Sequence, residues 1–357
     1  MEHSNIIEII MSRTYSEPLV LQTSKYELIT ENTRTIRDDN GILLTVYQIR
    51  ALKDFDDIKK GDLGGYIERT YNLDSLGTCW LDETCVIYGT AILSGDARMF
   101  TGSRLYGNAR VEDKAHLFSG SEVYGGAKVV DNASIDGAKI YGNARVSGSA
   151  VVSEKARVHG GAKVGSSAWV HGHAEVFSLA WVCGNSEVAG NAKVCGNAYV
   201  RGESVIEGYA TVQGHAEVCD NASIFDDALV TDNVKVLGNA TIMGNVKIYD
   251  DAIIRDNATV RDNATIWGNA EIYGYAGIWE NAQIYGDVKV GGSVTVGSFV
   301  ELSGNIELNN SSHIWENAQI YGDVKVAGSE KARDFLELVR NIKSNNSSHT
   351  YTSNYKG

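Results

Sequence analysis

The chain carries one proline, Pro18, in 357 residues. Proline cannot donate to a β-ladder and breaks helices, so its absence beyond residue 18 leaves nearly every later backbone N–H free to pair. Cysteine is scarce: Cys79, Cys85, Cys183, Cys195 and Cys219 include no CxxC pair and no zinc-type spacing. An odd count without a framework fits a reducing compartment and argues against a disulfide scaffold. No apolar run approaches about eighteen residues, and the first stretch lacks a basic segment leading into an apolar one, so neither a membrane helix nor a secretory signal is read. A cytoplasmic location, bacterial or in an infected host, is expected, with no membrane partner. Positive charge is in deficit, 32 Lys and Arg against 45 Asp and Glu for a net −13, which disfavours nucleic acid and anionic membrane surfaces as partners.

In place of these features the chain has a period. From Cys79 to Val326 a small residue, usually Ala and otherwise Ser, Val or Cys, recurs every six positions with an aliphatic residue two positions later. Ala144 and Val146, Ala150 and Val152, Ala156 and Val158 begin a series that keeps its phase for roughly forty hexads. Six residues match neither the 3.6-residue period of a helix nor the unbroken alternation of a strand. Pairs such as Gly142-Asn143 and Asp256-Asn257 interrupt the alternation, and both are turn formers. Each hexad is therefore a short strand plus a corner, and three sides close a coil of about eighteen residues. Stacking predicts an all-β chain, a single-stranded parallel β-helix or triangular β-solenoid of about fourteen coils. The small and aliphatic residues point inward, each buried aliphatic contributing about 1.5–3 kcal/mol. Cys79 and Cys85 fall on the inward phase.

Four segments follow. Residues 1–24 are expected to be a flexible leader, with Met11 a possible second start. Residues 25–78 are expected to form an N-terminal β cap, with strands over Lys25–Thr30 and Ile42–Leu52 around the turn Asp38-Asp39-Asn40-Gly41. Residues 79–326 form the β-helix. Residues 327–357 are expected to hold a capping helix, Glu330–Lys343, with Phe335, Leu338, Val339 and Ile342 on one stripe, and then a disordered tail. One hexad is a residue short, Ala133 being followed by Ala138, so a tightened corner is expected at Asp136-Gly137. The segment IWENAQIYGDVKV at 278–290 recurs at 314–326, an offset of two whole coils.

The segment YQIRALKDFDDIKKGDLGGYIE (Tyr47–Glu68), followed by GTCWL and YGNARV-type hexads, resembles prophage- and phage-associated hexapeptide-repeat proteins, among them the YdcK-like group. The resemblance implies a left-handed coil. It implies no activity, and its phage setting implies a role in blocking or sequestering a host factor, including a defence component.

Outward residues eighteen apart stack into columns. One holds Tyr88, Tyr106, Tyr124, Tyr141, His159 and Phe177, and later Tyr249, Trp267 and Tyr285, a candidate aromatic contact strip. Beside it Arg104, Glu122, Lys139, Arg157, Glu175 and Lys193 mix signs and read as a solvated, salt-bridged face. A third column stacks the like charges Arg110, Lys128, Arg145 and Lys163 and then meets Trp181 and Tyr199, a candidate binding strip for an acidic or phosphate-bearing partner. Another face carries Phe100, Phe118, Trp169, His171, Phe225, Trp279 and Trp315.

No catalytic residues, cofactor or metal site are predicted. The histidines scatter over different faces, no loop longer than a hexad interrupts 79–326, and no P-loop, nucleophile elbow or dinucleotide fingerprint is present. The expected function is non-catalytic, a scaffold binding a protein partner or its own copies as a dimer or trimer. The alternatives are an acyltransferase of the hexapeptide-repeat class, an analogy of fold alone, and an acidic DNA mimic built on the aspartates between Asp220 and Asp262.

Overall fold

A computed structural model describes residues 21–38, 40–328 and 349–352. The chain divides into two compact units, residues 1–153 and 154–357.

In the first unit an antiparallel hairpin precedes the coils. Strand β1 (Tyr26–Arg37) pairs with β2 (Leu43–Ala51) in a register running from Tyr26 opposite Ala51 to Arg37 opposite Leu43, with an irregularity between Ile29 and Thr33. At its tip the Asp38 carboxylate accepts from the N–H groups of Asn40 and Ile42, at 2.9 and 2.8 Å, the local bonding that makes Asp a turn residue. Strand β3 (Leu63–Ile67) lies antiparallel to β2 and parallel to Val86–Ile87, with Tyr66 opposite Val86. This strand converts the hairpin into the parallel ladder, so parallel pairing begins at Tyr66, ahead of the boundary expected at Cys79. The hexad phase misses it because Ile67 lies opposite Ile87, an offset of twenty residues where the coils keep eighteen. A Cβ on Gly64 would sit 2.6 Å from Ile49, and one on Gly65 would sit 2.5 Å from the carbonyls of Asp82 and Cys85.

The hairpin is tied down by a buried cation. Lys25 is fully buried, and its Nζ donates to the carbonyls of Cys79 (2.7 Å) and Asp74 (3.2 Å) and faces the Phe55 ring at 4.8 Å. Burial pushes the Lys25 ammonium below its ordinary pKa and the adjacent Cys79 thiol above its own. Arg98, itself buried, donates to Asp57 at 2.7 and 3.2 Å and to Asp56 at 3.2 Å, holding the loop before β3.

The coils themselves follow the hexads. On one face the first unit stacks five rungs, Trp80–Leu81, Arg98–Met99, His116–Phe118, Ser134–Asp136 and Val151–Ser153, each parallel to the next. Their inward residues, such as Leu81, Met99, Leu117, Ile135 and Val152, are fully buried, as are the small residues Cys79, Ala97, Ala115, Ala133 and Ala150. The short hexad forms a tightened corner. Gly137 takes φ +75, and its N–H bonds the Phe118 carbonyl (3.2 Å) and the Ser121 hydroxyl (3.0 Å). Ser121 in turn donates to Ile135 O at 2.9 Å. The register survives, with Glu122 opposite Lys139 and Val123 opposite Ile140.

The second unit continues the pattern with nine rungs on the corresponding face, from Trp169–Val170 to His313–Ile314. Each unit is a parallel β-solenoid, the turns numbering about fourteen over the two, and the one helical element among the described residues is a single turn at Thr70–Asn72. Toward the C-terminal side the strands lengthen: Glu301–Asn310 and Gln319–Gly328 pair in register over ten residues. His349–Thr352 pairs with Val324–Ala327, which corrects the expectation of a disordered tail at those positions. The helix expected over 330–343 lies outside the described residues.

Most corners are built from a left-handed residue followed by a polar one. Where the left-handed residue is Asp, its carboxylate reaches one coil ahead. Asp220, Asp226 and Asp256, with φ of 61, 58 and 63, accept from the N–H groups of Gly238, Gly244 and Gly274 at 3.0, 2.9 and 3.1 Å. Asp232, Asp250 and Asp262 bond forward in the same way. Beside them Asn221, Asn239 and Asn257 form an amide ladder at 3.1 Å. These six aspartates thus satisfy backbone donors of the next coil.

Candidate binding faces and their comparison with known proteins

In the first unit the aromatic column stacks nearly face to face: Tyr88 on Tyr106 at 4.9 Å, Tyr106 on Tyr124 at 4.8 Å, Tyr124 on Tyr141 at 5.0 Å, with interplanar angles of 4° or less. The expected exposed strip is corrected here. Tyr88 and Tyr106 are 2% and 6% exposed because Leu44 and Val46 of β2 and Tyr66 of β3 pack over them, and Tyr124 and Tyr141 are half-buried. In the second unit Phe177 stacks on His159 at 5.2 Å, and Tyr249, Trp267 and Tyr285 stack at 5.7 and 4.3 Å. Each ring covers its neighbour's face, leaving these three and Phe177 half-buried with edges outward.

The basic column is placed as its spacing requires within each unit. Lys128 lies between Arg110 and Arg145 in the first, all three exposed, with Arg110 bonded to Glu112 at 3.4 Å. In the second, Lys163 lies opposite Trp181, and Trp181 opposite Tyr199. The Lys163 ammonium sits 5.9 Å from the Trp181 ring centroid, and the Trp181 and Tyr199 rings are 5.0 Å apart and tilted by 36°. Trp181 is 46% exposed, and the corner residue Leu179 before it is exposed as well. Arg201 lies 5.7 Å from the Tyr199 ring.

Sequence reasoning missed a second set of relationships. His171 Nε2 lies 2.9 Å from Glu187 Oε1, with its Nδ1 4.0 Å from Glu154, and its ring stacks on Trp169, which is 44% exposed. His159 Nε2 lies 2.8 Å from Glu175 Oε1, a carboxylate that Arg157 also holds at 3.0 Å. His171–Glu187 and His159–Glu175 are each sixteen residues apart, one coil less two, a diagonal that sorting at eighteen cannot find. Among the described residues no group of three or more His, Cys, Asp or Glu is placed to hold a metal ion, and no helix is long and apolar enough to cross a membrane. All five cysteines are free thiols, and burial raises Cys85 and Cys219 to about 11.

Two comparisons with known proteins agree with this geometry. The family described as the YdcK beta solenoid repeat matches residues 138–154, a stretch that begins directly after the tightened corner at Asp136-Gly137. The protein named "Uncharacterized acetyltransferase YdcK" from Escherichia coli (strain K12) is 35% identical over 78 residues, 21% of this chain, and the match spans about a quarter of that relative, 24% of its length. The chain is thus similar to a YdcK-like group of β-solenoids, in its repeat and in part of one relative.

Proposed function

We propose that this chain is a binding scaffold that captures an acidic protein surface through Lys163, Trp181 and Tyr199 of its second unit. The observation that carries this reading is Trp181: a tryptophan nearly half exposed, fixed by ladder pairing between a lysine and a tyrosine. Aromatic residues held rigidly beside a cation are the composition of interface anchors, and a solenoid fixes them without any cost of loop ordering. Arg110, Lys128 and Arg145 offer the same charge in the first unit. A left-handed coil, a phage setting and a host factor as partner form the finer version, and they rest on the resemblance carried by Tyr47–Glu68, GTCWL and the YGNARV-type hexads.

Affinity capture from lysate with mass spectrometry, comparing the native chain with Trp181→Ala and Lys163→Glu, tests it. A partner that is lost in both variants at unchanged thermal stability is expected. A partner retained by both contradicts the reading, and a native mass of a dimer or trimer lost in the variants assigns the strip to self-association.

A second reading is acyl transfer. The name of the Escherichia coli relative and the His171–Glu187 pair favour it, because a carboxylate that orients an imidazole is the arrangement a general base requires. With Nε2 held by Glu187, Nδ1 is the nitrogen that would take a proton from an acceptor hydroxyl.

A further inference from the structure

The column that mixes charges was expected to be neutralised along its length, and in the second unit it is not. Arg157, Glu175 and Lys193 are consecutive partners or near neighbours in the ladder, with Glu175 opposite both Arg157 and Lys193. Glu175 bonds Arg157 at 3.0 Å and His159 at 2.8 Å, so its one carboxylate is spent on the coil before it. Lys193 is left with no carboxylate partner among the described residues, and Lys155 at the neighbouring corner is in the same position. Both are exposed.

These two ammonium groups line one groove. It has a volume of about 490 Å³ and is bounded by the strand residues Arg157, Glu175 and Lys193 and by a corner column of Lys155, His173, Asn191 and Tyr209. The corner column supplies an imidazole, a carboxamide and a phenol, all able to donate hydrogen bonds. Tyr209, 65% exposed, closes the groove with a flat apolar ring. Two unpaired cations match the two charges of a phosphomonoester at neutral pH, and the ring at one end offers a stacking surface beside them.

We propose that this groove of the second unit binds a small phosphomonoester carrying a planar aromatic group, of the nucleoside monophosphate class, with the phosphate between Lys155 and Lys193 and the ring against Tyr209. The site lies on a different face from Lys163 and Trp181 and does not depend on the scaffold reading.

Calorimetric titration of the full chain with AMP, with ribose 5-phosphate and with inorganic phosphate tests it. All three are expected to bind, weakening as salt is raised. AMP should bind about 2- to 12-fold more tightly than ribose 5-phosphate, the range of one aromatic pair. Tyr209→Ala should abolish that advantage and leave ribose 5-phosphate unchanged. The double variant Lys155→Ala/Lys193→Ala should lose binding of all three, whereas Lys247→Ala, an exposed lysine elsewhere in the second unit, should lose none. All the substituted residues are exposed, so thermal unfolding should match the native chain. Absence of saturable binding up to 10 mM, equal affinity for AMP and ribose 5-phosphate, or binding that survives in the double variant would each overturn the proposal.

Discussion

His171 Nε2 and Glu187 Oε1 bond at 2.9 Å across sixteen residues, and the same diagonal joins Arg201 to Glu217 at 2.9 Å, Arg255 to Glu271 at 2.8 Å and Tyr285 to Glu301 at 2.6 Å. The residue just after an inward aliphatic leans toward the residue just before the next coil's aliphatic. These contacts tie each coil to the next outside the backbone ladder. A double-mutant cycle on Arg255→Ala and Glu271→Ala should give a coupling of about 0.2–1 kcal/mol, the range for partly exposed pairs, measured by urea unfolding.

The core has a stricter tolerance. Ile224 is fully buried two positions after Ala222, also fully buried. Ile224→Ala should cost about 2–5 kcal/mol by leaving a cavity, and Ala222→Leu about 1–3 kcal/mol by overfilling the axis. Equilibrium denaturation measures both. An Ala222→Leu variant as stable as the native chain would contradict the narrow core.

Corner glycines should divide into two classes. Gly202 has φ +80, and an added Cβ would stand 2.6 Å from the Asp220 carbonyl of the next coil. Gly102 has φ +71 with nothing within 4 Å of the Cβ position. Gly102→Ala should cost about 1–2 kcal/mol from the left-handed conformation alone. Gly202→Ala should cost clearly more, since backbone must shift as well, and thermal unfolding of the two variants ranks them.

Acid should weaken the corners. The Gly238 N–H holds the Asp220 carboxyl below the usual carboxylate range, as Arg98 does for Asp57 and Thr78 for Asp96. A depressed folded pKa gives stability that is complete above the unfolded value near 4 and is lost as the pH falls through the folded value. The melting temperature should therefore hold steady from pH 7 to 5 and decline below about 4. Asp220→Asn, which keeps an acceptor and tolerates positive φ, should flatten part of that decline.

Lys25 anchors the hairpin from inside. Lys25→Met keeps the length of the side chain and removes the donor, stranding the carbonyl of Cys79 that it meets at 2.7 Å, so a loss of about 1–3 kcal/mol is expected in denaturant unfolding.

Most of the fold was legible because the inward positions obey one rule: every Ala or Val of the hexad array read as inward from Ala133 to Val152 is buried, and even the missing residue before Ala138 marked a real corner. Legibility failed where a contact depends on something other than the eighteen-residue column. Tyr88 and Tyr106 occupy outward positions, and the paths of β2 and β3 bury them. Leu63–Ile67 is a ladder strand outside the hexad phase, because Ile67 lies opposite Ile87, twenty residues on, where the coils keep eighteen. The column of Lys163, Trp181 and Tyr199 was legible, whereas the groove of Lys155, Lys193 and Tyr209 was not. Its charge is set by where Glu175 turns, and that choice belongs to the diagonal.

Titration of the purified chain with acetyl-coenzyme A tests the central claim most directly, since it separates a scaffold from an acyltransferase. The scaffold account predicts no saturable binding in the micromolar range and no transfer of the acetyl group to hydroxyl or amine acceptors. Micromolar binding together with acetyl transfer that is lost in His171→Ala would contradict it.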